Sequence, residues 1–185
     1  VVMAVALISL WFTGIALAGS WTYGLQQEIA DGDGQPGDLY GFSLSIFGNW
    51  LAVGSKSADS EDFDDTGAVF IYRLDHRTGQ WIFTQKIIPD EAVSRDEFGE
   101  SVSLLFDRLV VGARAGSDEG GSGFGSAYVY RLKYASEQWE FEQKIDGPQD
   151  AEFGRSVALS PIGGQWLFVG ARFAEVTNQE DPGAV

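Results

Sequence analysis

Short stretches of alternating apolar and polar residues recur along most of the chain. In Trp81–Ile87 the side chains Trp, Phe, Gln and Ile occupy every second position, and Trp139–Ile145 repeats this order. A period of two indicates a strand with one buried face. No helical periodicity of useful length follows Ala18, so the pattern predicts an all-β chain. In the best-formed copy the predicted strands are Gly99–Leu105, Leu109–Ala113, Ser126–Leu132 and Trp139–Ile145.

The strand pattern repeats at a fixed interval. Gly54, Gly112 and Gly170, which lie near the end of the second strand in successive copies, are 58 residues apart. Fixed self-similarity is typical of repeat architectures, whose units share a core with their neighbours. Four antiparallel strands per unit, without helices, predict the blades of a β-propeller. A β-sandwich is the alternative fold, but a sandwich has no reason to repeat at a fixed period.

The repeat also predicts how the chain is divided. Residues 1–18 form one apolar run, and the first charged residue after it is Glu28. The repeats then occupy residues 19–185. Within them the predicted units are an early strand at 21–29, complete blades at 40–87 and 98–145, and a partial blade at 153–185.

The apolar run at residues 1–18 has three interpretations. It ends in Ala16, Leu17 and Ala18 before a glycine, a small-x-small pattern typical of signal-peptide cleavage. Its length is also just sufficient to span a bilayer as a membrane anchor. The third interpretation is a buried pair of strands. The first two predict that the rest of the chain lies outside the cytoplasm, either secreted or held at the cell surface.

The predicted loops differ in length and charge. Strands one and two of each copy are joined by tight turns, such as the one at Gly48 and Asn49. The connections from strand two to strand three, and from strand four to the next copy, are longer and acidic. Successive turns of an up-and-down blade alternate between its two ends, so we predict that the acidic loops share one face. These acidic stretches are Asp31–Asp38, Asp59–Asp65, Asp90–Glu97, Asp118–Glu119 and Asp146–Glu152.

The repeated motifs resemble a known family. FGESV, LVVGA and GSAYVY in one copy, and FGRSV, LFVGA and GAV in the next, resemble FG-GAP repeats, the propeller repeats of integrin α-subunits and many other extracellular proteins. Tyr40 begins a looser copy. The resemblance implies a seven-bladed β-propeller, of which this chain holds about two complete blades plus partial ones. It also implies that strand 21–29 closes the ring as the outermost strand of the last blade.

One departure from the family concerns calcium. Family members that bind calcium carry the loop D-x-D-x-D-G-x-x-D between the first two strands of a blade. Here those turns read FGN, FDR and SPIGGQ, with at most one carboxylate. The resemblance therefore does not extend to that calcium site.

Composition narrows the possible functions. A formal net charge of −15 argues against nucleic-acid binding, which needs a basic surface. The sequence has no cysteine and one histidine, His76, in a predicted hairpin turn. Hydrolase triads and ordinary zinc sites are therefore excluded for this segment, and we predict that it is not an enzyme.

The densest acidic stretch is the candidate ligand-binding site. We assign this role to Asp59, Asp62, Asp64 and Asp65 on the acidic face. Such a cluster either holds a hard cation through its oxygens or stays solvated, and the solvated state is favoured here. We expect no cofactor and no dedicated metal site. Calcium should bind weakly at most, on the order of millimolar, because a high-affinity site needs six to eight oxygens in one closed loop. This weak binding should decline as salt screens the diffuse negative field.

Three functions remain open. The first is a non-enzymatic extracellular or cell-surface module that binds a protein or glycan through the acidic face, as in cell adhesion. The second is the propeller portion of a larger secreted enzyme whose active site lies outside these residues. The third is a purely structural repeat.

Overall fold

The computed structural model describes residues 5–10, 23–30, 32, 34–61, 63–91, 94–114, 124–148, 151–161 and 166–174. Every regular element in these ranges is a strand, which confirms the all-β prediction. The strands are β1 (Val5–Leu10), β2 (Tyr23–Ile29), β3 (Tyr40–Phe47), β4 (Trp50–Ser55), β5 (Ala68–Asp75), β6 (Gln80–Ile87), β7 (Phe98–Leu105), β8 (Arg108–Ala113), β9 (Ser126–Lys133), β10 (Gln138–Asp146), β11 (Phe153–Ser160) and β12 (Trp166–Ala171).

The strands form successive antiparallel blades. Strands β3 to β6 make one four-stranded sheet, and β7 to β10 make a second in the same order. Each strand pairs with the next one along the chain, so both sheets are up-and-down meanders. Strands β11 and β12 begin a third sheet. Closure of these blades into a ring stays a prediction.

The apolar N-terminal run contributes one strand to the described part of the chain. Strand β1 pairs with β2 in antiparallel orientation, with Val5 opposite Ile29 and Leu10 opposite Tyr23. None of the described residues belongs to a helix long and apolar enough to cross a membrane. The roles of residues 1–18 as signal peptide or membrane anchor stay predictions.

Each blade opens on a bulge at the FG motif. The motif glycines Gly41, Gly99 and Gly154 have φ angles of 86°, 92° and 86°, a region that side chains with a Cβ rarely adopt. In the second blade the pairing register shifts between Phe98 and Ser101. A bulge of this kind bends the strand and increases its twist. The FG motif thus aims the start of the first strand at the blade before it.

Neighbouring blades approach one another closely at the glycine of the VGA motif. A Cβ atom placed on Gly112 would overlap the carbonyl oxygen of Gly154 in the next blade and the Oγ of Ser101 in its own blade. Ser101 Oγ donates to that same carbonyl at 2.9 Å, and Ser43 donates to Gly99 O at 2.7 Å across the preceding junction. The recurring glycines and serines therefore join neighbouring blades.

A second serine reinforces each junction. The backbone N–H of Leu104 donates to Ser45 Oγ at 2.9 Å. One blade later, Leu159 N–H donates to Ser103 Oγ at 3.1 Å. The first strand of each blade therefore donates to a side chain of the blade before it. These bonds are additional to the ladder within each sheet, and they prevent the two blades from sliding past one another.

Glutamine side chains join the blades at their outer strands. Gln85 of β6 donates to Trp139 O at 3.0 Å and accepts from Trp139 N–H at 2.9 Å. Gln27 of β2 makes the same two bonds with Trp81, at 2.9 and 2.8 Å. Strand β2 is therefore placed against β6 as β6 is placed against β10. It occupies the position of an outermost strand in a preceding blade.

Burial of equivalent positions depends on whether a neighbouring blade covers them. Val102 of the second blade is 9% exposed, whereas Leu44, at the same register position in the first blade, is 51% exposed. Leu104 and Ile46 form a second pair of this kind, buried and exposed respectively. The core that unites blades one and two combines Ile71 and its neighbours with residues of β7 to β10. Each blade thus needs a neighbour to bury its faces.

Because Arg108 holds the register position of Trp50 and Trp166, the sequence predicts a partly exposed site there, and this prediction is wrong for Trp50. Trp50 is buried because Trp139 of the next blade packs against it edge to face, with ring centroids 5.8 Å apart. Trp166 is 60% exposed, with no further blade among the described residues to cover it. Arg108 pairs with Asp107 instead.

The close approach at Gly112 predicts a large effect of adding one methyl group. We expect Gly112→Ala to destabilise the chain by about 1–3 kcal/mol or more, because the Cβ meets backbone of the next blade. Gly32→Ala is the matched control, since nothing lies within 4 Å of a Cβ at that position. Thermal unfolding followed by circular dichroism compares the two. Equal tolerance of both substitutions would show that the blades do not pack in this way.

Candidate functional site

The long connections between strands meet at one end of the blades, which we call the loop face. Backbone bonds join its segments to one another: Arg95 N–H donates to Asp64 O at 3.1 Å, and Ser57 N–H donates to Asp38 O at 3.2 Å. Both kinds of long connection therefore lie at the same end, as the topology predicted. The loop face comprises the described parts of segments 30–39, 56–67, 88–97, 114–125 and 147–152.

Three of the four predicted ligand residues lie in the described part of the loop face. The side chains of Asp59 and Asp64 are exposed, and Asp65 is partly buried with a φ of 53°. Asp59 Oδ1 accepts from the backbone N–H of Asp65 at 2.8 Å. Asp59 therefore shapes the loop with one of its oxygens, which leaves Asp64 as the most available carboxylate. Asp62 lies outside the described residues.

The acidic loop is held firmly at its base. Thr66 Oγ1 donates to Ala58 O at 3.2 Å, and Gly67 N–H donates to the same carbonyl at 2.9 Å. Ala58 and Thr66 are both buried. The two ends of the loop are thus joined, and a loop closed in this way loses less conformational entropy when a ligand binds.

The loop face can present carboxylates, but its described residues do not form a preformed metal cage. Among them, no three histidines or carboxylates are grouped so that they could hold a metal ion. In the first acidic stretch Asp38 Oδ2 accepts from Gln35 N–H at 2.8 Å and caps its own turn. The other acidic residues of that stretch, and the predicted pair Asp118 and Glu119, lie outside the described residues.

An ion-pair network runs across the loop face from blade to blade. Lys56 Nζ lies 2.9 Å from a Glu100 oxygen and 3.6 Å from Glu97 of the next blade. Arg114 contacts Glu97 at 2.5 Å and reaches Glu152 of the following blade at 3.2 Å. Partial burial opposes the charge on Arg114, but these carboxylates raise its pKa above the ordinary value. The network therefore links three blades through alternating charges.

This network was not predicted from the sequence, although the spacing of its cations is visible there. The cations Lys56, Arg114 and Arg172 are spaced by the 58-residue repeat and follow the second strand of each blade. Their partners Glu97 and Glu152 directly precede the FG motif, with φ angles of 52° and 46°. A positive φ is uncommon at residues other than glycine, and a glutamate in the sequence does not indicate one.

Asp146, where β10 ends at the loop face, is tied to the blade. Its Oδ1 accepts from Ser126 Oγ at 2.8 Å and lies 3.2 Å from Lys144 Nζ. The hydrogen bond from Ser126 lowers the pKa of Asp146, and Lys144 lowers it further. Burial lowers the pKa of Lys144, but Tyr128 and Asp146 outweigh this and raise it. This carboxylate therefore stabilises the start of its loop.

The opposite end of the blades carries a different set of groups. His76 is exposed in the β5–β6 hairpin, which confirms the predicted turn at this residue. Arg73 forms an ion pair with Glu137 of the next blade. Asp107, in a two-residue turn, lies 3.2 Å from Arg131. Its carboxylate is thus used in ion pairs at the turn where calcium-binding relatives carry their loop.

Comparison with known families identifies the repeat. The family model described as FG-GAP repeat matches residues 23–72 and again residues 81–130, which together make up more than half of the chain. No curated protein matches the chain. Each matched segment begins in the outermost strand of one unit and ends in the third strand of the next blade. Each match therefore contains one complete junction between blades.

The chain belongs to the FG-GAP repeat family, and its sheets are blades of the β-propeller type. The FG motif forms the bulge described above, and the VGA motif forms the close approach between blades. At the two described junctions the glycine of FG meets the end of the preceding blade's second strand, Gly54 and Ser55 at the first and Gly112 and Ala113 at the second. The family motif in this chain is thus a blade-docking motif.

The lowered pKa of Asp146 predicts a pH-dependent contribution to stability. A carboxylate with a depressed folded-state pKa stabilises the fold above its unfolded pKa, about 3.9, and this contribution is lost as the pH falls through the folded value. We expect Asp146→Asn to melt at a lower temperature than wild type at pH 7. The gap should narrow below about pH 4. Glu91→Gln, at an exposed loop carboxylate, serves as control, and a pH-independent gap for Asp146→Asn would contradict the assignment.

Proposed function

We propose that this FG-GAP chain is part of a non-enzymatic β-propeller module that binds a protein or glycan through its loop face. The supporting observation is the meeting of Asp59, Asp64 and Asp65 with the neighbouring acidic loop at 88–97 on one end of the blades. A surface of one charge concentrates oppositely charged ligand groups and speeds their encounter. The net charge of −15 favours a protein ligand with a basic patch. A glycan is the other ligand class, because its hydroxyls can donate hydrogen bonds to carboxylates.

The order within the loop also favours binding. The Asp59–Asp65 bond and the two bonds to Ala58 O fix the loop before any ligand arrives. A preordered loop converts more of its contact energy into affinity than a floppy one. The segment at 88–97 is joined to this loop through Arg95, so a ligand that spans both meets a continuous surface.

The proposal includes a location outside the cytoplasm. It rests on the apolar run at residues 1–18, which acts as a signal peptide or attaches the chain to a membrane. The resemblance to the repeats of extracellular adhesion proteins supports the same location. Catalysis has no part in the proposal, because the sequence offers one histidine and no cysteine as catalytic groups.

Charge-neutral variants test the loop face directly. The labelled chain is applied to an array of purified extracellular-matrix proteins and glycans. The double variant Asp64→Asn, Asp65→Asn should lose most of the binding seen with wild type, because it removes carboxylates without changing side-chain size. Asparagine also tolerates the positive φ of Asp65. The control is Glu137→Gln with Glu140→Gln, which removes the same charge at the opposite end.

Equal losses in the two double variants would contradict a role for the loop face, as would full binding by the Asp64 and Asp65 variant. Calcium titration by calorimetry adds a second measurement. We expect weak binding, on the order of millimolar, that declines as salt is added. A saturable site on the order of micromolar that survives high salt would show a dedicated calcium site instead.

A further inference from the structure

A groove between the first two blades has the chemistry of a binding site separate from the acidic loop at residues 59–65, although it includes the start of segment 88–97. We call it the rim groove. It lies between β6 with the segment that follows it and the outer strands β9 and β10, and its volume is about 310 Å³. That volume is at the lower end of the range for small-molecule sites. The residues used below are Lys86, Asp90, Tyr130, Trp139, Phe141 and Lys144.

The rim groove is lined by a tyrosine whose hydroxyl lacks the hydrogen bond that the equivalent tyrosine of the first blade makes. In the first blade Tyr72 OH hydrogen-bonds to Tyr40 OH at 2.7 Å. In the second blade the equivalent of Tyr72 is Tyr130, but Phe98 stands where Tyr40 would be. Phe98 packs against Tyr130 edge to face, with centroids 6.2 Å apart, and offers no oxygen. No hydrogen bond links the Tyr130 hydroxyl to another described residue.

A second donor lines the same groove. Trp139 is buried, and its Nε1–H has no hydrogen-bond partner among the described residues. Burial raises the pKa of Tyr130, and Tyr128 and Asp90 add to the effect, so its hydroxyl stays protonated and can donate. Buried polar groups are normally satisfied by protein, water or ligand. The Nε1–H of Trp139 is closed off from solvent, so the Tyr130 hydroxyl is the donor of this groove that an acceptor oxygen of a ligand can satisfy.

The remaining lining supplies an apolar face and charged edges. Phe141 is 59% exposed and packs edge to face on Tyr130 at 5.9 Å. Lys86 and Lys144 add donors, and Asp90 adds acceptor oxygens. A purely apolar ligand would leave the donors unsatisfied, and an anion would meet Asp90 in a chain of strongly negative charge. A sugar ring offers hydroxyls that both donate and accept, together with an apolar C–H face for Phe141.

We propose that the rim groove binds a neutral saccharide, with Tyr130 as hydrogen-bond donor and Phe141 as the stacking surface. The site does not use Asp59, Asp64 or Asp65 and does not rest on their ligand, although Asp90 belongs to both the rim groove and the loop face. The equivalent surface of the first blade carries Phe70 in place of Tyr128 and keeps the Tyr40–Tyr72 bond. That surface therefore lacks the free hydroxyl and provides an internal comparison.

Saturation-transfer NMR with the intact chain tests this site. The probes are glucose, galactose, N-acetylglucosamine, cellobiose and lactose, and a set of N-acetyl amino-acid amides represents peptide ligands. We expect at least one saccharide to bind, with a dissociation constant on the order of millimolar for a single ring. Tyr130→Phe removes one hydroxyl and should weaken that binding roughly two- to tenfold. Phe141→Ala should weaken it as well.

Matched controls come from the first blade. Phe83→Ala, at the position equivalent to Phe141, should leave saccharide binding unchanged, whereas a loss of binding in Asp64→Asn with full binding in Tyr130→Phe would place the saccharide on the acidic loop instead. Circular dichroism confirms that each variant is folded. The proposal is overturned if no saccharide binds, if Tyr130→Phe binds like wild type, or if the amides bind through Tyr130 while the saccharides do not.

Discussion

The close approach of one blade to the next at Gly112 and Gly154 is the constraint on which the other features depend. Only a residue without a Cβ lets the neighbouring carbonyl come so near, and the serine hydroxyl then satisfies that carbonyl. The bulge at the FG glycine brings the carbonyl to this point. The glycine of the second strand, the serine and the FG bulge each depend on the other two, so all three must recur together. The family repeat is therefore a description of a junction rather than of an isolated sheet.

The junction explains why stability and function are divided between regions of each blade. Apolar residues such as Val102 are buried only because the preceding blade covers them. Serine and glutamine side chains set the spacing of the blades, and the Lys56–Arg114 network links their loop ends. The exposed side chains of Asp59 and Asp64 project from this frame, whereas Ala58 at the base of the same loop belongs to the core. These exposed carboxylates are part of the surface that we propose binds a ligand.

Much of the fold could be predicted because its determinants are local. The period of two, the glycines and the 58-residue interval together indicated the strands, the blades and the shared loop face. Trp50 was misjudged because its burial comes from Trp139, a contact between blades that no local pattern records. The positive φ of Glu97 was equally hidden. For the rim groove, the exchange of Tyr40 for Phe98 was visible, but only the Tyr40–Tyr72 bond shows what that exchange removes.

Amide hydrogen exchange measures blade docking most directly. The N–H groups of Leu104 and Leu159 donate to Ser45 and Ser103 of the preceding blade, outside the ladder of their own sheets. If the blades dock as described, these two amides exchange as slowly as the ladder amide of Val110 in the middle of its sheet. If the sheets form without docking, Leu104 and Leu159 exchange at the rate of exposed loops while Val110 stays protected. That result would contradict the account.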